Sequence, residues 1–312
     1  AFASLDWPKV PPPSLLFHPY NISPEEEYAL ISLEKLPQPI YRTYAPEDCP
    51  FETVMVDITH RCNMACRNCY LPNRTVPDLD AQWLSNIFAR LPRGTRVRLV
   101  GAEPTLRDDL PQIIRDIRRC GHHAIILTNG LKLADPSYVR ELKRAGLQIV
   151  YLSMNGAFDD DLYASIDAMR CAERKAKAFH NLRAEYVCTA IGMIIVRDVN
   201  EHAVADMLKA VRGARNVREL HLRSIGAFGR YMSNRPLKLN ELLDIFATAC
   251  GVHTSAMDLH ERTASSQDIR FGRLRVQLTE WPDLGSKQRG RLTPDGMVAP
   301  FFEHVIENEG GY

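Results

Sequence analysis

The amino-acid sequence predicts an α/β fold, a partial (β/α)6 barrel followed by a small C-terminal β-rich appendage. Three observations carry this reading. From Thr53 onward, short β-rich apolar runs alternate with longer amphipathic stretches, the pattern of parallel strands joined by helices. Cys62, Cys66 and Cys69 lie within eight residues on a stretch leaving the first of those runs, Val54-Met55-Val56-Asp57-Ile58. The end of the chain then changes to alternating patterns that carry arginines.

Strands are expected at 53–58, 95–100, 123–128, 148–153, 187–196 and 217–223, and helices at 80–91, 109–120, 136–145, 160–183, 201–213 and 238–250. Right-handed β-α-β crossovers gather the loops at the C-terminal ends of the strands, where chemistry on such folds sits. Residues 1–52 are rich in proline and read as an irregular lead-in with one short helix over Ser23 to Leu36, where Asn21, Ser23 and three glutamates supply the cap and first-turn acids. The barrel is expected over 53–251. Residues 252–312 form the appendage, expected to cover the barrel mouth. There, 269–278 alternates with arginines on one face, and 289–298 reads as strand, tight turn, strand.

Composition narrows the function. Of 312 residues 45% are hydrophobic and 25% charged, enough for a sizeable core. Lys plus Arg number 39 against 38 Asp plus Glu, so no global field recruits nucleic acid or a membrane surface. No apolar run reaches bilayer-spanning length. Eight cysteines in a chain this long read as reduced thiols, and so as a cytoplasmic setting.

Thiolates select iron–sulfur clusters, zinc or Cu(I). A [4Fe–4S] cube needs one ligand for each of four irons, so three cysteines leave one iron open to bind a substrate or cofactor. The alternative is a structural zinc knuckle without catalysis, with His60 or a distant histidine as fourth ligand. The other five cysteines, 49, 120, 171, 188 and 250, read as small buried hydrophobes.

The spacing Cys62-x3-Cys66-x2-Cys69 with Tyr70 next, followed by Gly101-Ala102-Glu103-Pro104, resembles the radical S-adenosylmethionine (radical SAM) superfamily. Ala102 stands where that family commonly has a second glycine, and Asn68 where it often has an aromatic or apolar residue. The resemblance implies one [4Fe–4S] cluster on Cys62, Cys66 and Cys69, with SAM chelated at the open iron. It further implies reductive cleavage of SAM to a 5′-deoxyadenosyl radical that abstracts hydrogen from substrate. Tyr70, Gly101, Ala102, Glu103 and Ser153 are the expected SAM contacts, with Glu103 accepting from its ammonium. Arg223 is placed to clamp a carboxylate of SAM or substrate. His221 and Arg230 are the candidate catalytic residues, and Thr128 and Asn129 lesser candidates for ligand contact.

The hairpin with Thr293-Pro294-Asp295-Gly296 resembles the appendages of relatives that carry auxiliary clusters. No cysteine follows Cys250, so this hairpin has no thiolates for a second one. Its arginines, with Arg270, Arg273 and Arg275, form either a solvated basic face or a substrate anion pocket. The expected substrate is a small amino-acid-like or anionic metabolite, with a peptide as the alternative. The resemblance implies an electron donor such as flavodoxin or ferredoxin.

Overall fold

The computed structural model describes residues 42–67, 69, 75–225, 235–263, 265–280 and 289–301. The expected helix at Ser23–Leu36 and the residues Asn68, Tyr70 and Arg230 lie outside these. Six strands form where the apolar runs stand: β1 (Thr53–Thr59), β2 (Arg96–Gly101), β3 (His123–Thr128), β4 (Ile149–Ser153), β5 (Cys188–Ile195) and β6 (Val217–Ser224). The connections hold α1 (Ala81–Arg90), α2 (Leu110–Arg119), α3 (Pro136–Ala145), α4 (Asp160–Ile166), α5 (Ala172–Ala184) and α6 (Ala203–Arg212), and α7 (Leu239–Cys250) follows β6. Local chemistry sets their ends. Asp80 accepts from Trp83 N at 2.7 Å to start α1, and Asp135 accepts from Ser137 N at 2.8 Å to start α3. Gly146 ends α3 at φ 103°, a conformation that favours a residue without Cβ.

One expected helix is two. The run 160–183 breaks between α4 and α5, where Ala168 takes φ 54° and Asp167 turns inward. Neither glycine nor proline marks the break. Buried contacts of Asp167, described below, hold it instead.

The C-terminal strands are β7 (Asp258–Arg262), β8 (Ser266–Phe271), β9 (Leu274–Thr279), β10 (Arg289–Leu292) and β11 (Val298–Pro300). The run 269–278, read as one stretch, folds back at Gly272 (φ 61°) into the β8–β9 hairpin. These strands join the barrel sheet. The order is β11-β10-β1-β2-β3-β4-β5-β6-β9-β8-β7, with β10 parallel to β1 and β9 parallel to β6. The two ends of the appendage therefore extend the partial barrel at both edges.

Alternation along the strands divides two environments. Val54, Val56, Ile58, Leu99, Ile126 and Leu220 pack in one cluster with helix residues such as Leu84, Phe88, Ile113 and Leu208. The other face carries Asp57, Arg98, Tyr151, Glu219, His221 and Arg223. A single strand-face pattern thus builds an apolar outer layer and a polar interior. No helix among the described residues is long and apolar enough to cross a membrane.

Candidate active site

The loop after β1 is anchored before it reaches its cysteines. Thr59 Oγ1 donates to Asp78 at 2.5 Å and accepts from Arg61 N at 3.1 Å, while Arg61 pairs with Asp78 at 2.6 Å. Arg107, 4% exposed, donates to Ile58 O at 2.8 Å and Leu79 O at 2.6 Å and is held by both carboxylate oxygens of Asp109. One guanidinium thus clamps the two stems of the cysteine loop. Sequence reasoning missed Arg107 and Asp78, because nothing local distinguishes them from surface charges.

Gly101 brings β2 against β1. At φ 118°, a Cβ there would stand 2.1 Å from Thr59 O, and Ala102 N donates to that same oxygen at 2.8 Å. The requirement for glycine is therefore met inside the protein, by the close approach of two strand ends.

Glu103 is 0% exposed. Its Oε1 accepts from Thr105 N (3.0 Å), Thr105 Oγ1 (2.5 Å) and Thr128 Oγ1 (2.7 Å), and Oε2 accepts from Asn129 N (2.7 Å). The carboxylate expected to take an ammonium is engaged in fixing the β3 turn to the β2 turn. Asn129 then carries the connection forward, donating from Nδ2 to Asn63 Oδ1 at 2.8 Å and to Cys62 Sγ at 3.9 Å. Hydrogen bonding to a ligand sulfur is one of the means by which a protein tunes an iron–sulfur centre.

The three thiols are half-buried, and Cys62 and Cys69 lie within Coulombic range of Cys66. Burial, then the charges of Asp167, Cys69 and Cys62, push the Cys66 thiol far above its ordinary range. Cys69 N donates to Cys66 O at 3.3 Å, and Met64 N donates to Cys62 Sγ at 3.4 Å. Converging thiols whose ionised forms oppose one another fit a site that gains positive charge from iron. Among the described residues no three His, Cys, Asp or Glu gather as they would around one ion. A cube suits wider spacing, since each cysteine takes a different iron. Cys62, Cys66 and Cys69 would hold the cluster.

Behind this loop, Asp167 (1% exposed) accepts from Asn155 Nδ2 at 2.9 Å and is in hydrogen-bond contact with Cys66. Lys175 is fully buried and donates to Ser153 O at 2.8 Å. Its signal was present in the sequence: with Ala178, Phe179 and Leu182 it occupies the i, i+3, i+4, i+7 apolar stripe of α5.

Inside the barrel, His221 Nε2 lies 2.7 Å from Thr279 Oγ1. Burial first, then Arg223, Arg289, Arg98 and Arg275, hold its pKa well below the ordinary histidine value. Those arginines come from β6, β10, β2 and β9, so strands from opposite edges of the sheet face one interior. Arg98 stands 5.3 Å above the Tyr151 ring, Tyr151 donates to Glu219, and Arg291 meets Asp57 at 2.9 Å. Arg270 is exposed, and Arg273 donates to Val211 O and Arg212 O, so the appendage arginines divide between surface and interior.

Compared with known families, residues 56–211 match the radical SAM superfamily, half the chain and all three cysteines included. The chain belongs to the radical SAM superfamily. That family of enzymes uses a [4Fe–4S] cluster and SAM, which sets aside the zinc knuckle. Among curated relatives, the 7,8-dihydro-6-hydroxymethylpterin dimethyltransferase of Methanocaldococcus jannaschii is 28% identical over 185 residues, covering 56% of this chain and 36% of that protein. The probable GTP 3',8-cyclase of Methanothermobacter thermautotrophicus is 31% identical over 170 residues, covering 52% and 54%. The chain thus spans about half or less of these relatives' length. Streptococcus suis SuiB bound to S-adenosylmethionine aligns with TM-score 0.59 at 14% identity, over 94% of this chain and 70% of that one. SuiB bound to the precursor peptide SuiA aligns with TM-score 0.52 at 16% identity, over 75% and 54%. Both show the same fold.

Proposed function

We propose that this radical SAM chain acts on a small anionic molecule bound inside the barrel. When bound, the cluster and SAM supply reductive cleavage to a 5′-deoxyadenosyl radical and hydrogen abstraction. The chain's residues do the rest. Cys62, Cys66 and Cys69 hold the metal group, and Gly101, Ala102 and Ser153 end strands beside it as candidate SAM contacts. Arg223 lies farther along the β6 face as a candidate clamp for a carboxylate.

The observation that carries the reading is Arg98. Its Nε is buried without a hydrogen-bond partner among the described residues, in an interior it shares with Arg223 and Arg289. A buried donor left unmade costs about 1–3 kcal/mol, a cost that an anionic ligand would remove. The named activities of the relatives supply the first compounds to test, GTP as the anion and 7,8-dihydro-6-hydroxymethylpterin as the neutral comparison.

The test is anaerobic reconstitution with iron and sulfide, then dithionite, SAM and each candidate anion, with 5′-deoxyadenosine as the product measured. A productive anion raises its rate, and Arg98→Met raises the KM for that anion more than it lowers turnover. Stimulation by neutral compounds alone would overturn the reading. A peptide is the second reading, favoured by β7, a sheet-edge strand exposed along its whole length and suited to strand addition.

A further inference from the structure

Lys175 and Asp167 are opposite charges buried within Coulombic range of one another, a placement that fold stability does not explain. Lys175 is 0% exposed, and its Nζ finds a neutral carbonyl, Ser153 O, and the face of Tyr163 at 5.2 Å from the ring centroid. The full counter-charge within its reach is Asp167, 1% exposed. Removing two charges from water costs several kcal/mol per ion, and apolar residues of similar volume are often as stable or more so. A leucine at 175 would complete the stripe of Ala178, Phe179 and Leu182 at lower cost.

The position of the pair supplies another account. Asp167 is in contact with Cys66 Sγ, and Lys175 lies within Coulombic range of the same sulfur. The backbone beside it grips the cysteine loop, with Arg67 N donating to Ile166 O at 3.1 Å. The break between α4 and α5 is what brings Asp167 to that loop.

We infer that Asp167 is a positioning residue whose carboxylate, beside Cys66, lowers the reduction potential of the cluster held there, with Lys175 as its buried counter-charge. This rests on the radical SAM reading above. Negative charge beside a ligand sulfur disfavours the added electron, and local charge and burial are levers that proteins hold over such potentials. The interior screens this charge less than the surface would. Asp167 is hydrogen-bonded to Cys66 and acts on its sulfur more strongly than Lys175 does, so the net effect of the two charges at the cluster is negative. A lower potential makes the reduced cluster the stronger donor to a sulfonium.

The experiment is potentiometry of the reconstituted cluster without SAM, followed by electron paramagnetic resonance. Three proteins are compared: wild type, Asp167→Asn, and Asp167→Asn with Lys175→Met. The expected order of midpoints is wild type lowest, the double variant above it, and Asp167→Asn highest. Asp167→Asn is expected to change the reduction equilibrium about tenfold, or about 59 mV for one electron. Asp295→Asn, which removes one carboxylate from the exposed hairpin turn, leaves the midpoint unmoved. A midpoint at or below wild type in either Asp167 variant overturns the inference. The double variant removes both charges together, so it decides the matter even if the single variant does not load iron. Wild-type protein that binds no cluster would instead defeat the family reading.

Discussion

Asp57 on β1 and Arg291 on β10 meet at 2.9 Å across 234 positions of sequence, with side chains 4% and 12% exposed. This pair ties the appendage to the first strand of the barrel. Asp57 Oδ1 has no hydrogen bond among the described residues, so Arg291 is its main compensation. Arg291→Met should therefore destabilise the protein by about 3–5 kcal/mol, the usual result of stranding a buried charge. Adding Asp57→Asn should recover most of that loss in urea unfolding, since the charge that needed a partner is gone. Equal stability of wild type and Arg291→Met would show that β10 is not secured this way.

Glu103 joins two strand ends through four accepted hydrogen bonds. Glu103→Gln places an amide NH2 against groups that donate, leaving at least one buried donor unmade, and should cost about 2–3 kcal/mol. Because Asn129 leads from Glu103 to Cys62, iron bound per chain after reconstitution should also fall. A variant with unchanged melting and full iron would remove Glu103 from the support of the loop.

The cysteines should separate into two groups. Ser in place of Cys62, Cys66 or Cys69 should each abolish the iron–sulfur absorbance, whereas Cys120→Ala and Cys250→Ala should retain it. Chelation of iron from the wild type should reproduce the first group. Cluster retention in any of the three serine variants would reassign the ligands.

His221 predicts an acid-side loss of stability. Its pKa in the folded chain is depressed below its ordinary 6.5 by burial and four arginines. Above pH 6.5 the ring is neutral in folded and unfolded states alike. Below it the unfolded chain takes the proton first, so stability falls as pH drops toward the folded value, by at most about 1.4 kcal/mol per pH unit. His221→Gln should flatten the decline between pH 6.5 and 5 in urea unfolding. An unchanged slope would mean that other groups cause it.

The sequence by itself determined the six barrel strands to within a residue or two and located the cysteine loop at the end of the first. Both signals are local: apolar runs of strand length report burial on a covered sheet, and thiol spacing survives in any conformation. Gly101 stood out in the sequence as a small residue at a strand end, but the backbone it approaches, Thr59 O, was supplied only by the fold. Tertiary structure alone decided the rest. That β9 and β10 join opposite edges of the barrel depends on pairing between strands far apart in sequence, which no local pattern encodes. Glu103, Arg107 and Asp167 are charges whose partners come from other loops, and only folding brings those partners within bonding distance. The helix break that presents Asp167 to Cys66 lacks a glycine or proline because buried contacts hold it. For the same reason the arginines of β2, β6 and β10 come to share one interior around His221 only once the strands have paired.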